Sequence, residues 1–599
     1  MALLPVHRVP SGRTGRHGRE KVILLAIFVL FTFVCFGAFF FVPDFRDKLT
    51  VTSAVENPVQ AFVNQHVQQV VAPVPRHGDQ GHPHAPAVAN NGENTRPVRT
   101  AVPPPQEDKV AETKAQVTTE APRTEEVTTK PKKPEPTKPA LDEETIRRRK
   151  SIVEMAKHAW RGYEQFAWGQ NELKPISRVG HSASIFGSSS MGATIVDSLD
   201  TLYIMGLTDE FKKARDWVAA NLNFNSGTQV SVFEVTIRFL GGLLSSYALT
   251  KDEVFKTKAI EIGQKLLPAF NTPSGLSYAQ VDLRTGSGRN WNWASGGCSI
   301  LAEVGTMHLE FAYLSAITGN PEFLQKVERV RDILQQADKP NGLYYNYIHP
   351  STKAWCQRHV SMGALGDSFY EYLLKSYIQT NGTDKRARKM YDDAMKALEP
   401  LIITSTGDHL MFIAEKREPS VQNKMDHLAC FSAGMLALGK KGAPEELQKK
   451  YDVWSKGIVN TCHESYDRTA TKIGPESFYF DSRDATATNP RQRYYILRPE
   501  VIEGYFYMWR LTKDPKYREW GWEAAQAIEK NCRVENGYSG IRDVNSVPAQ
   551  HDDVQQSFFI AETLKYLFLL FSDDDVIALD QWVLNTEAHP LPVLSKLPT

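Results

Sequence analysis

The sequence predicts an all-α protein: an (α/α)7 barrel over residues 145–599, preceded by a single transmembrane helix and a disordered stem. Three observations carry this. An uncharged apolar run lies near the N-terminus, an aromatic-free polar stretch follows it, and a loose helical-hairpin repeat fills the rest. The charge balance sets a boundary on partners. With 70 Lys+Arg against 69 Asp+Glu the formal charge is +1, which argues against a nucleic-acid partner held by a basic excess over phosphate.

Residues 22–42 carry no charged side chain, and a helix of that length spans roughly 31 Å, the thickness of a bilayer core. Arg8, Arg13, Arg16, Arg19 and Lys21 precede it against Glu20 alone, whereas the charges just after it cancel. The positive-inside rule then predicts a type II signal anchor: tail 1–21 cytoplasmic, anchor 22–42 in the lipid bilayer, everything later lumenal. Phe39 to Pro43 offers no small-residue cleavage site, so the run reads as an uncleaved anchor. Residues 43–144 form the predicted lumenal stem. From Val63 to Ala159 there is no Phe, Tyr or Trp, and Pro, Thr, Val, Lys and Glu dominate; such a chain buries too little apolar surface to offset its conformational entropy.

Order is predicted to resume near Thr145, where Ile152, Met155, Ala156, Ala159, Trp160 and Tyr163 have the spacing of an amphipathic helix. Turns at Thr208, Thr250, Thr318, Asn381, Lys441 and Thr512 then mark one helical hairpin each. In each the first helix is the more apolar and belongs inside. Six hairpins and a last helix, Val554 to Phe571, predict a ring of about seven. Glu234, Glu303, Asp367, Asp426 and Glu500 lie 12 to 16 residues before their turns, which places them within about 6 Å of one height at the N-terminal ends of the inner helices. First-turn acids are common, because the helix dipole favours them. Five in register inside apolar runs, with Arg238, His308, His427 and Arg498 nearby, instead predict a carboxylate-lined mouth, since burying such groups is costly. Paired carboxylates in an aromatic-rich cavity point to glycoside hydrolysis.

The strings Met191–Gly206 (MGATIVDSLDTLYIMG), Phe233–Gly242 (FEVTIRFLGG), Gly366–Leu373 (GDSFYEYL), Leu497–Glu503 (LRPEVIE) and Asn585–Pro590 (NTEAHP) resemble the class I α-1,2-mannosidases, glycoside hydrolase family 47. The resemblance covers roughly residues 150–599. It implies an (α/α)7 barrel and a Ca2+-dependent, inverting removal of α-1,2-linked mannose from Man9GlcNAc2-type N-glycans. Tail, anchor, stem and lumenal domain together resemble the family's Golgi processing members, a type II localisation in the Golgi membrane. By resemblance Glu234, Asp367 and Glu500 are the essential carboxylates. Glu234 matches the general acid, acting through a water, Glu500 matches the base, and Asp367 shares acid work or steers charge. Arg238, Glu303, Leu365, His427 and Phe558 are implied in substrate binding, Phe558 as the floor of the −1 subsite. Thr586 matches the direct Ca2+ ligand, with Glu503, Glu562 and Glu587 holding the metal's waters; no calcium-binding string would have shown this. Leu365 stands where the ER-type members carry Arg, which implies access to several glycan branches and trimming towards Man5GlcNAc2.

The same resemblance implies a Cys430–Cys462 disulfide, in keeping with a secretory compartment. Five Cys lie beyond the anchor, so not all can pair within one chain. Asn381-Gly-Thr383 is an N-glycosylation sequon in a predicted turn. Two rival expectations remain: a mannose-binding quality-control factor of the same fold with little hydrolysis, and a calcium-free (α/α)-barrel glycosidase. The three carboxylates and Thr586 disfavour the first, and the Asn585–Pro590 string the second.

Overall fold

The computed structural model describes residues 141–595, Ser482 excepted. The predicted tail (1–21), the anchor (22–42) and the stem up to residue 140 lie outside the described residues. Helix α1 (Glu143–Phe166) opens on Asp142, whose carboxylate accepts from the Thr145 amide at 2.8 Å. This side-chain N-cap starts the helix two residues before the expected boundary. The face expected to be buried, from Ile152 to Tyr163, is buried.

Helical pairs follow in chain order. They are α2 (Ala193–Ile204) with α3 (Thr208–Asn221), then α4 (Val232–Thr250) with α5 (Glu253–Leu266). The next inner helix is interrupted, α6 (Leu301–Gly305) giving way to α7 (His308–Thr318), which pairs with α8 (Pro321–Gln336). Then come α9 (Asp367–Gln379) with α10 (Lys385–Leu398), α11 (Phe431–Gly439) with α12 (Glu445–Asp467), and α13 (Glu500–Thr512) with α14 (Lys516–Cys532); α15 spans 559–570. The division into inner and outer helices follows composition. α2 buries its first ten residues, whereas α3 buries only Ala214 and Val218. Among the inner helices α2 packs on α4, α4 on α7, α7 on α9, α9 on α11, α11 on α13, α13 on α15, and α15 on α2. Helices α3, α5, α8, α10, α12 and α14 each cover the helix they follow, and α1, first in the chain, covers α15, the last.

Local chemistry sets the hairpin turns. Lys251, Gly319 and Lys513 end α4, α7 and α13 at φ of 61°, 69° and 59°, the left-handed stop of many helices. Asp252 and Asn320 then cap α5 and α8 by accepting from the amides of Val254 and Glu322, each at 3.0 Å. Thr208, expected in a turn, is instead the first residue of α3. The last inner helix is shorter than expected, because Gln555 pairs with Leu173 through the backbone at 2.9 Å and holds the preceding segment extended.

Eight small antiparallel sheets among the described residues were not foreseen. Their strands have two or three residues, too short for an alternating pattern. Apart from the pair after α15, their strands lie in connections that lead from an outer helix to the next inner one. α4 is a described helix long and apolar enough to cross a membrane, but it is 78% buried inside the fold and is a core element. The expected Cys430–Cys462 disulfide is present. A second, Cys298–Cys356, was not foreseen, and Cys532 is a buried free thiol.

Candidate active site

A cavity of about 290 Å³ is lined by Glu234 of α4, Glu303 of α6, Asp367 and Glu371 of α9, Glu500 and Glu503 of α13, Glu562 of α15, and Thr586 and Glu587. The last two sit in the turn joining the paired strands Trp582–Leu584 and Pro590–Pro592. Of the five acids expected in register, four line the cavity. The fifth, Asp426, ends a short strand and precedes the helical segment His427–Gly439 as expected, but it is bound by Lys424 at 2.7 Å and does not line the cavity. Arg238, Leu365 and Phe558 line the cavity as expected. His427 does not. It is fully buried behind Glu500, with Nδ1 2.7 Å from the Glu500 carboxylate and Nε2 2.7 Å from the Tyr466 hydroxyl.

The carboxylates have unlike environments. Burial pushes the Glu500 carboxyl up, but the His427 hydrogen bond and the nearby Arg498 guanidinium outweigh it and hold the group below its ordinary value. Asp367 has no such cation. Burial, with the charges of Glu371, Glu500 and Asp426 adding to it, raises it to about 7. Glu303 is raised by burial to about 8; one oxygen accepts from the Trp291 indole at 2.8 Å and the other has no hydrogen-bond partner. Glu234 accepts from Arg238 Nε at 2.9 Å. Arg238 also pairs with Glu587 and lies 5.5 Å from the Phe558 ring centre. Leu365 has a φ of 80°, and its carbonyl accepts from the Ala302 amide at 2.9 Å, joining the start of α9 to α6.

The far end of the cavity fits a hard cation. Eight carboxylates line the cavity against two guanidiniums, Arg238 and Arg498. Burial lifts Glu503 to about 8, and Glu562 and Glu587 well above the usual carboxylate range. Acids so crowded either take up protons or share a cation. The donors beside them are the oxygens of Thr586 and of the carboxylates, the set that Ca2+ prefers. A different triad, His308, Glu328 and Asp384, has its donor atoms within 4.8 Å of one another. Arg331 lies 2.6 Å from Asp384, and Arg386 pairs with Glu328, so cations of the chain already balance those acids.

The support beneath Thr586 was not anticipated. Asn585 Oδ1 accepts from the amides of Glu587 and His589 at 2.9 and 2.8 Å, and its Nδ2 donates to the Ile237 carbonyl at 3.0 Å. His589 bridges Asp200 and Asp197 of α2 at 2.8 and 3.2 Å. Lys565 reaches both Asp200, at 3.0 Å, and the Ala588 carbonyl, at 2.7 Å. One signal was available: Asp197 and Asp200, three apart in an otherwise apolar helix, share a face. Arg238 and Glu562 both fall in π-helical turns, Thr236–Leu240 and Phe559–Leu564, distortions that recur at functional sites; nothing in the residue pattern announces them.

Acids on several inner helices around one cavity, one held ionised and another able to keep its proton near neutrality, define a glycosidase-type site. Residues 155–593 match the family described as glycosyl hydrolase family 47. Mannosyl-oligosaccharide 1,2-alpha-mannosidase IB of Mus musculus is 50% identical over 616 residues, covering 98% of this chain and 94% of its own length. Mannosyl-oligosaccharide 1,2-alpha-mannosidase IA of Sus scrofa is 48% identical over 617 residues, covering 98% and 93%. The α-1,2-mannosidase from Trichoderma reesei superposes with a TM-score of 0.69 at 28% identity, covering 75% of this chain and 99% of its own. The chain belongs to glycosyl hydrolase family 47, as its motifs imply, and it is an enzyme.

Proposed function

We propose that this chain is a Ca2+-dependent, inverting exo-α-1,2-mannosidase that trims Man9GlcNAc2-type N-glycans towards Man5GlcNAc2 on glycoproteins in the Golgi. The observation that carries the reaction is the contrast between Glu500, kept ionised by His427 and Arg498, and Asp367, raised to about 7. Glu500 takes a proton from the attacking water. Glu234 and Asp367 share the acid side: Asp367 holds an exchangeable proton near neutrality, and Glu234, fixed by Arg238, delivers one to the leaving oxygen through a water. Phe558 forms the floor for the terminal sugar, and Glu303 and Arg238 bind its hydroxyls. Thr586 would hold Ca2+ directly, with Glu503, Glu562 and Glu587 on its waters. Bound there, the ion supplies oxygen coordination that fixes and distorts the sugar.

The named mannosidase relatives, similar over nearly the whole chain, support the substrate class. The order of inner-helix contacts, returning from α15 to α2, supports a closed (α/α)7 barrel. The Golgi assignment rests on the tail, anchor and stem read from residues 1–144. Leu365, uncharged at the cavity rim, supports access to several glycan branches. Asn381 is exposed in the α9–α10 turn, as glycosylation requires.

The test is incubation of the full-length chain with Man9GlcNAc2 in calcium and after EDTA treatment, with the released sugar followed by NMR. We expect β-mannose first, and loss of release on chelation that added Ca2+ restores. Glycan binding without release would favour the quality-control reading. Undiminished release after chelation would remove the metal, and α-mannose as first product would contradict inversion.

A further inference from the structure

Glu500 is the inner end of a circuit of hydrogen bonds, ring packing and ion pairing that passes through the wall of the fold. From its carboxylate the circuit runs to His427 Nδ1 and from His427 Nε2 to the Tyr466 hydroxyl, each step 2.7 Å. The Tyr466 ring packs edge-on to Tyr495 with centres 6.5 Å apart, and the Tyr495 hydroxyl donates to the Arg498 carbonyl at 3.1 Å. The Arg498 guanidinium, held by Glu476 at 2.6 and 2.7 Å, returns to the other Glu500 oxygen at 3.8 Å. Tyr466 belongs to the outer helix α12, and it also lines a second cavity, of about 410 Å³, between α12 and α14. His463, Asp467, Lys472, Trp520 and Glu523 are among the other polar and aromatic residues of that cavity's wall.

The donor arithmetic of the circuit is restrictive. An ionised Glu500 only accepts, so the hydrogen of a neutral His427 must sit on Nδ1. Nε2 then presents a lone pair inside a side chain that is 0% exposed, and a buried acceptor without a donor costs free energy. Tyr466 supplies that donor, and burial keeps its phenol protonated. Without it, Nε2 is left bare in a buried place and the ring loses the partner that holds its Nδ1–H on the Glu500 carboxylate.

We propose that Tyr466 is a positioning residue for the general base: its hydroxyl partners His427 Nε2 and so holds the imidazole in the orientation whose Nδ1–H donates to Glu500, from a place reached through the outer cavity. The proposal rests on the reading of Glu500 as base.

Two variants of the full-length, calcium-loaded chain test it. Tyr466→Phe keeps the ring and loses the donor; we expect kcat to fall about tenfold, the value of one such hydrogen bond, with KM for Man9GlcNAc2 unchanged. Its His427 15N signals, assigned by comparison with His427→Gln, should show the Nε2 resonance shifted by loss of its hydrogen-bond donor. Wild-type kcat together with unchanged His427 signals would overturn the proposal. Tyr466→Gly opens a hole towards the outer cavity, and added phenol should restore activity where benzene does not. Equal rescue by both would show that Tyr466 only packs, and if that variant fails to fold the Phe variant decides. The nitrogen signals need no turnover, so a wild-type chain that releases no mannose would defeat the function reading while the Nε2 result still judges Tyr466.

Discussion

Asp367 and Glu500 are each the first residue of an inner helix, and both line the same cavity, yet their protons behave oppositely. The difference comes from neighbours: His427 and Arg498 stand beside Glu500, while Asp367 faces other acids and one backbone amide. In its proposed acid role Asp367 acts in the protonated form, whose population falls as pH rises through about 7. The alkaline limb of kcat/KM should therefore lie near that value and the acid limb below the ordinary carboxylate range. Asp367→Asn should lower kcat by about 100-fold or more and flatten the alkaline limb, as a pH–rate profile would show; an unmoved limb would assign that proton elsewhere. Glu234, Glu303, Asp367 and Glu500 were legible as site residues because a first-turn register converts directly into height along a helix. Thr586 was not, since a threonine in a loop carries no signal of its own. His427 was placed in the right neighbourhood with the wrong contact, because sequence spacing does not tell a residue that lines a cavity from one standing behind it.

At the level of elements, the inner helices are fastened by charge as well as by apolar packing. Asp200 of α2 accepts from Ser245 of α4, His589 of the last strand pair and Lys565 of α15. Asp200→Asn would leave the buried Lys565 ammonium without its counter-charge and should destabilise the fold by about 3–5 kcal/mol, measurable as a lower denaturant midpoint. The Cys298–Cys356 bridge spans 58 residues and ties the loop before α6 to the strands before α9. Changing both cysteines to Ala should lower stability by about 4 kcal/mol on loop entropy, with a lower Tm in calorimetry. The helices were readable because amphipathic spacing extends over many residues. The strands and the second disulfide were not, since two-residue ladders have no period and cysteine pairing depends on proximity in space.

For the whole molecule, the helical hairpin count was legible and the partner of the last helix was not. The repeat left α15 without an outer mate, and α1, read as an isolated opening helix, fills that place. Nothing local relates them; α1 packs directly on α15, and Gln555, in the segment just before α15, bonds to the Ala159 carbonyl of α1 at 3.2 Å. Deleting residues 143–166 should therefore expose α15 and abolish soluble, active protein, whereas a chain that stays folded by circular dichroism would deny α1 its covering role. The pairing also bears on the timing of biosynthesis. Chains emerge N-terminus first, so Glu234, Asp367 and Glu500 exist well before Phe558, Glu562 and Thr586 are made, and α1 waits through translation for its mate. With the roles proposed above, a prematurely terminated chain would carry its principal acids without the residues that grip the sugar, so competence to cut is withheld until the last tenth of the polypeptide arrives.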